Sequence, residues 1–247
     1  MRLLKNKQWS CQLLVIAAMF ICASFGFTKR ATEIIAVNTL SATASFIEEK
    51  TVMYDSLDLS SLGLSREAFV YALTGFKNLV AEGKIQKDNI LSILDFTLPS
   101  GKKRLFIIDI TTGELVFNTY ASHGKNSGKI VPTKFSNNNN SNQSSLGFYI
   151  TGDTYNGKHG QSLRLLGEEK GINDKALERG IVMHSASYVD ENIVAHQGFI
   201  GRSQGCPALP MNMSKEIIEK IKEGSCLFIY SPDKYYVTHS KMIREKV

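Results

Sequence analysis

The chain has 247 residues, of which 43% are hydrophobic and 21% are charged. This length suits one full domain with a small appendage, and the composition excludes a disordered chain, a collagen-like repeat and a multi-span membrane protein. The formal net charge of +6 comes without a basic stripe of interleaved aromatic residues, so we do not expect nucleic acid as a partner.

An export signal is predicted over residues 1–26. Three basic residues precede a short apolar run over residues 12–23, whereas a comfortable membrane span needs about 20 apolar residues. A basic head, a short apolar stretch and then small residues are typical of a secretory signal peptide, cleaved here before Phe27. We therefore expect an exported protein of the periplasm or cell envelope, with no stable membrane span after signal removal. An uncleaved N-terminal anchor is the alternative.

Residues 27–84 are predicted to form an N-terminal arm and one amphipathic helix. Residues 27–50 are weakly patterned, which indicates a linker or a loosely packed arm. After Ser65, apolar residues recur at helical spacing until Gly83, so Ser65 is the expected N-cap and Gly83 follows the last turn. The apolar stripe of this helix is expected to face the core.

Residues 85–235 are predicted to form a mainly β domain, followed by a C-terminal tail over residues 236–247. Seven apolar runs have the length of strands: residues 90–96, 105–110, 114–120, 146–151, 162–166, 181–184 and 226–230. Residues 111–113 make a turn between the second and third runs, which predicts a hairpin. Several short strands with little helix favour a sandwich or a partly open barrel with a few flanking helices over a βαβ fold.

Two further segments of this domain have recognisable patterns. A second helix is predicted over Ser214–Glu223, capped by Ser214 and ended by Gly224. The stretch over residues 136–145, SNNNNSNQSS, is polar and of low complexity, which predicts a solvated loop.

The candidates for chemistry lie between residues 180 and 210. Nucleotide-binding, zinc-protease and serine-hydrolase motifs are absent, and the histidines lack zinc-ligand spacing, so no metal site is predicted. Cys206 follows Gly205 in a tight turn, where the backbone amides of both residues can stabilise an oxyanion. The charge of Arg202 is expected to favour the thiolate. His184, at the end of an apolar strand, is the candidate proton acceptor.

The residues alone leave two structural alternatives open. After signal removal only Cys206 and Cys226 remain, and in an oxidising compartment two cysteines suggest a disulfide before they suggest chemistry. His184 can likewise be a purely structural strand-end histidine. His123 and His159 each adjoin a glycine and are predicted to be exposed loop histidines.

The same region resembles the active-site stretch of the L,D-transpeptidase catalytic domain (YkuD-like) family of bacterial cell-wall enzymes. Those enzymes carry a histidine on a strand and, further along, a Ser/Thr-His-Gly-Cys turn. Here His184 in IVMHSA and the turn Ser203–Cys206 match them, and GRSQGCPALP is similar to the murein L,D-transpeptidase branch of the family. The resemblance extends over roughly residues 90–231.

This resemblance implies a YkuD-like β-sandwich and a cysteine-dependent murein L,D-transpeptidase that needs no cofactor and no metal. In the implied reaction, Cys206 attacks a carbonyl of a peptidoglycan tetrapeptide stem while His184 takes the thiol proton. The amides of Gly205 and Cys206 hold the oxyanion, and a second amine resolves the thioester. Ser203 is expected to orient His184 or to donate to the substrate.

The sequence departs from the family pattern on both sides of Gly205. Gln204 replaces the usual histidine, and Pro207 and Ala208 replace a segment that normally carries Arg or Asn. Substrate binding is therefore expected to involve Arg202, Lys125 and Gln204, with one of the two cations meeting a substrate carboxylate. Two alternatives stay open: a non-catalytic cell-wall-binding module with a Cys206–Cys226 disulfide, and an L,D-carboxypeptidase or other cysteine peptidase.

Overall fold

The computed structural model describes residues 45–244. The predicted signal peptide, its cleavage site and most of the predicted arm lie outside the described residues. Within them, a helical segment α1 occupies residues 45–56. Four further helices follow: α2 (Arg66–Ala81), α3 (Glu191–Gln197), α4 (Ser214–Ile221) and α5 (Lys234–His239). No helix in this range is long and apolar enough to cross a membrane.

The strands form one eight-stranded sheet, which confirms the mainly β fold class. They are β1 (Ile90–Asp95), β2 (Leu105–Asp109), β3 (Glu114–Thr119), β4 (Gly147–Gly157), β5 (Gly160–Gly167), β6 (Val182–Ser185), β7 (Ala208–Leu209) and β8 (Cys226–Tyr230). Their order across the sheet is β3-β2-β1-β8-β4-β5-β6-β7. β1 pairs with β8, and β6 with β7, in parallel, and the other pairs are antiparallel.

The central strands are buried along their whole length. Every residue of β1, β2 and β8 is buried, which explains why these strands are continuous apolar runs rather than alternating ones. β2 and β3 form the predicted hairpin, with Leu105 opposite Thr119. Gly113 adopts a φ of 71° in the turn between them, a conformation that glycine reaches without strain.

Helix α2 covers this central part of the sheet, as its apolar stripe predicts. The Ser65 side chain accepts a hydrogen bond from the Ala68 N–H over 3.0 Å, which confirms it as the N-cap. The helix buries one face of mainly apolar residues, among them Phe69, Leu73 and Phe76. At Gly75 the helix comes so close to the sheet that an added Cβ would lie 2.1 Å from the Phe148 ring.

Three predictions about the outer elements need correction. Residues 45–50 are helical rather than a linker, and Phe46 and Ile47 pack against the core. The predicted tail contains most of α5, whose Tyr236 is buried. The N-cap of α4 is Met213, without a side-chain capping bond, because the Ser214 hydroxyl donates to the Met211 carbonyl instead. The short elements α3, β7 and α5 are not predicted from the sequence.

Candidate active site

A cavity of about 580 Å³ lies beside β6 and contains most of the predicted site. Six of the seven predicted site residues line it: Lys125, His184, Arg202, Ser203, Gln204 and Cys206. Gly205, the seventh, is buried. The sheet edge, the turn Ser203–Cys206 (the cysteine turn) and the surrounding loops therefore form one concave site.

Pairing of the two edge strands brings the cysteine turn to the histidine strand. His184 lies opposite Ala208, two residues after Cys206. The Val182 N–H, on the same strand as His184, donates to Cys206 Sγ over 3.5 Å, and the thiol donates to the Gly180 carbonyl over 3.7 Å. No hydrogen bond joins the His184 and Cys206 side chains among residues 45–244.

His184 is held with one ring nitrogen available to the cavity. Its Nδ1 is 2.8 Å from the Ser185 carbonyl oxygen, so Nδ1 carries the proton and the neutral ring keeps Nε2 as an acceptor. The ring stacks on His159 with 4.6 Å between centroids. Burial lowers the pKa of His184 below its ordinary value, partly opposed by the bond to Ser185 and reinforced by His159. The imidazole is therefore neutral at pH 7.

Cys206 is held as a thiol rather than a thiolate. Burial raises its pKa, and the Val182 N–H and the positive charge of Arg179 offset only part of that rise. The expectation that Arg202 favours the thiolate is therefore wrong, because the cation that acts on this sulfur is Arg179 and the net direction is upward. The resting pair consists of a neutral thiol and a neutral imidazole.

Ser203 organises the cysteine turn from within. Its hydroxyl donates to the Cys206 carbonyl over 2.6 Å and accepts from the Gly205 N–H over 3.0 Å. It does not orient His184, contrary to one of the two expectations, and the Gly205 amide is already occupied rather than free for an oxyanion. Gly205 has a φ of 131°, and a Cβ there would lie 2.8 Å from the Gln143 carbonyl oxygen.

The cysteine turn is hydrogen-bonded to the segment over residues 123–125, which also lies within the region of family resemblance. Ser203 donates its N–H to the His123 carbonyl over 2.9 Å, and the Lys125 N–H donates to the Ser203 carbonyl over 2.8 Å. The Arg202 guanidinium donates to the Lys125 and Gly128 carbonyls over 3.1 and 3.2 Å. Both cations remain exposed at the cavity wall.

The polar stretch over residues 136–145 is not merely a solvated loop. Arg179 donates to the carbonyls of Ser136 and Gln143 over 2.7 Å each, and the Ser144 hydroxyl donates to the Gly205 carbonyl over 3.1 Å. Asn140 and Asn142 adopt left-handed φ values of 59° and 55° and line the cavity. The loop is thus pinned as one wall of the site.

Sequence analysis did not assign several of the cavity-lining side chains to the site. Arg179 and Tyr188 line the cavity from the loops that flank β6, and Lys158 and His159 line it from the β4–β5 hairpin. His159 is exposed, as predicted, but it also stacks on His184. Lys158, Arg179 and Tyr188 belong to none of the motifs quoted above, so no sequence signal points to them, and His159 is marked in the sequence only by the glycine beside it.

The prediction that His123 is exposed is wrong. His123 is fully buried; its Nδ1 accepts from the buried Arg104 guanidinium over 2.8 Å, and its Nε2 donates to the Gly128 carbonyl over 3.1 Å. Burial, reinforced by the charge of Arg104, lowers the pKa of His123 to about 4. Its side chain is part of the core, while its carbonyl belongs to the segment that supports the cysteine turn.

The alternative of a structural disulfide is also wrong, because Cys206 and Cys226 are both free. Cys226 is wholly buried in the central strand β8, whereas Cys206 lines the cavity. Among the described residues, no group of three or more His, Cys, Asp or Glu side chains is placed to hold a metal ion.

Comparison with known proteins gives one family. A family model described as the L,D-transpeptidase catalytic domain matches residues 60–230, and no curated protein matches the chain. An L,D-transpeptidase from Mycobacterium smegmatis is 16% identical with a TM-score of 0.37, over 58% of this chain and 59% of that chain. The helical cell shape determining protein Pgp2 from Campylobacter jejuni is 14% identical with a TM-score of 0.36, over 68% and 57%. The aligned region thus spans about three fifths of these solved structures.

Proposed function

Because this chain belongs to the L,D-transpeptidase catalytic domain family, we propose that it is an exported, cysteine-dependent murein L,D-transpeptidase that acts on peptidoglycan stem peptides. One observation carries the proposal: Cys206 and His184 line the same cavity. Export rests on the signal peptide predicted over residues 1–26, and the cell envelope is where such a substrate occurs.

The protonation states favour proton transfer during the attack rather than before it. Cys206 starts as a thiol and His184 as a neutral base, so the S–H proton moves to Nε2 while the sulfur bonds to the carbonyl carbon of the stem. The tetrahedral intermediate then collapses, the C–N bond breaks, and the imidazolium returns the proton to the departing amine. This leaves a thioester on Cys206 and a neutral imidazole.

A second amine completes the transfer. Its nitrogen attacks the thioester carbon, its extra proton passes to His184, and the C–S bond breaks. The imidazolium then returns the proton to the sulfur and regenerates the thiol. Water in place of the amine makes the enzyme an L,D-carboxypeptidase, which is the remaining catalytic alternative.

The other site residues are assigned supporting roles. Ser203 is a positioning residue, because its hydroxyl spans the turn from Gly205 to Cys206. The Cys206 N–H is the proposed oxyanion donor, since the Gly205 N–H is already bonded. Lys125, Arg202 and Gln204 are proposed to bind the substrate from the cavity wall.

The test is product analysis with the purified full chain, a tetrapeptide stem and an acceptor amine. We expect an exchanged or cross-linked product and an acyl-enzyme whose added mass maps to Cys206. Cys206→Ala and His184→Ala should each lower turnover by about a thousandfold or more, whereas Cys226→Ala, the matched control at the other cysteine, should still transfer.

Three outcomes would contradict parts of this proposal. Turnover that survives Cys206→Ala would exclude the cysteine mechanism. Hydrolysis with no transfer at any amine concentration would identify a carboxypeptidase. Stem binding with no covalent adduct and no product would identify a non-catalytic wall-binding module.

A further inference from the structure

The charged side chains that line the cavity all carry the same sign. Lys125, Lys158, Arg179 and Arg202 line it, and no Asp or Glu does. The remaining polar lining consists of neutral groups such as Asn140, Asn142 and Gln204. Such a concave wall of one sign concentrates oppositely charged ligands.

These four cations have no acidic partners among the described residues. The ion pairs of residues 45–244 involve none of them. Arg179 and Arg202 donate to carbonyl and hydroxyl oxygens, which orient the guanidinium groups without cancelling their charge. Nearby carboxylates have other contacts: Glu178 and Asp174 accept from asparagine side chains of the polar loop.

The cations approach the cavity from separate parts of the fold. Arg202 directly precedes the cysteine turn, and Lys125 belongs to the segment that supports this turn. The two segments are hydrogen-bonded to each other. Lys158 sits in the turn of the β4–β5 hairpin, next to the histidine that stacks on His184. Arg179 precedes β6 and pins the polar loop. A bound peptide therefore meets positive charge from several directions.

We propose that this cavity selects donor stem peptides whose internal carboxyl groups are free, and that it discriminates against the same stems when those groups are amidated. The proposal rests on the function proposed above and names the chemical class that the site prefers. A free carboxylate gains Coulomb attraction from each cation, whereas a carboxamide of almost the same size and shape gains none. Charge, rather than fit, is the discriminating property.

The roles of the individual cations differ. Arg179 is half-buried and held by four hydrogen bonds, so it contributes a fixed charge close to Cys206. Lys125 and Lys158 are exposed and have no described side-chain partner, so they are free to turn toward a ligand. Lys158 offers the cleaner test, because its backbone contacts nothing in the cysteine turn.

The experiment compares two tetrapeptide stems that differ only in their internal carboxyl groups, free in one and amidated in the other. Both keep the C-terminal carboxylate. We expect kcat/KM for the free-acid stem to exceed that for the amidated stem by about tenfold or more, since several weak exposed charge contacts add up. Raising the ionic strength from about 0.05 to about 0.5 M should reduce this preference, because exposed charges are screened.

Variants locate the preference in the cavity. Lys158→Gln should reduce the free-acid to amidated ratio by about threefold and Lys158→Glu by about tenfold. Lys103→Gln removes an exposed lysine outside the cavity and should leave the ratio unchanged. A ratio near one in the unmodified chain would overturn the proposal, as would Lys158 variants that match Lys103→Gln.

A binding measurement distinguishes failure of this proposal from failure of the proposed transferase function. If neither stem is turned over, binding of both stems to the Cys206→Ala chain is measured by calorimetry. A free-acid preference in binding that Lys158→Glu removes would support charge selection without transferase activity. Equal affinity for the two stems, or no measurable affinity for either, would overturn it.

Discussion

At Cys206, burial and charge act on one sulfur in opposite directions. The loss of solvent raises the thiol pKa, while the Val182 N–H and Arg179 lower it, and burial is the larger effect. A site of this kind gains its nucleophile by proton transfer to His184 during the reaction. A standing thiolate–imidazolium pair would require both pKa values to shift the other way.

The first prediction concerns alkylation of Cys206. We expect iodoacetamide to label it more slowly at pH 7–8 than an unhindered thiol, with a rate that still rises above pH 9, because the pKa is raised. Arg179→Gln should slow labelling further, and Arg179→Lys, which keeps the charge, should slow it less. Peptide mass spectrometry separates Cys206 from the buried Cys226, and a labelling plateau below about pH 8.5 would contradict the neutral-pair interpretation.

At this scale the sequence identifies residues better than roles. Cys206, His184 and Ser203 belong to local motifs, so the resemblance locates them. What Ser203 bonds depends on how the turn folds around Gly205, and which cation acts on the sulfur depends on where the loop before β6 lies. Neither is encoded in residue spacing.

At the scale of elements, contact between α2 and the sheet depends on the absence of one side chain. Gly75 faces the Phe148 ring, and Phe148 in turn stacks on Phe228 with 4.2 Å between ring centroids. The ring therefore has little room to move away. Interiors packed to this density respond to a single added methyl group.

The second prediction is that Gly75→Ala destabilises the fold by about 2 kcal/mol, because overpacking outweighs the better helix propensity of alanine. Chemical denaturation measures the free energy of unfolding. In a Phe148→Leu background, where the ring is gone, the same substitution should cost less, and the double-mutant cycle isolates this contact. An equal loss of unfolding free energy in the two backgrounds would show that an alanine at position 75 does not clash with the Phe148 ring.

Element prediction succeeds where apolar runs are continuous and fails where elements are short. β1, β2 and β8 are buried on both faces and stand out in the sequence. β7 has two residues and α5 six, too few to show a period. Contacts with residues remote in sequence stabilise them: β7 pairs with β6, and the Tyr236 hydroxyl of α5 donates to the buried Glu169 carboxylate.

At the scale of the whole molecule, a buried polar pair couples the core to pH. Arg104 is fully buried and has a pKa lowered to about 9 by burial, and its guanidinium donates to His123. A proton added to His123 would place two cations side by side in the interior, where charges are poorly solvated. The folded state therefore favours the neutral imidazole.

The third prediction follows from the sign of this shift. His123 has a folded pKa of about 4 and an ordinary value of about 6.5, so the unfolded chain binds the proton first as pH falls. The stability linked to His123 is fully present above about pH 6.5 and is lost toward pH 4, a loss of about 3 kcal/mol. Denaturation at a series of pH values measures it.

His123→Gln is the matched control, because the amide can accept from Arg104 and donate to the Gly128 carbonyl without titrating. Its stability should fall less than that of the unmodified chain between about pH 6.5 and 5, before most carboxylates titrate. Parallel stability curves for the two proteins would show that His123 is not held neutral in the folded state.

The sequence by itself determined the mainly β class, the longer strands, helix α2 and the Cys/His region, because these depend on neighbouring residues and short motifs. Only the tertiary structure decided the protonation of Cys206, the burial of His123, the pinned polar loop and the uniform charge of the cavity. Each of those depends on groups that are remote in sequence and adjacent in space. Desolvation depends on the atoms that surround a group in space, and Coulomb energy depends on the spatial separation of the charges, whatever their separation along the chain.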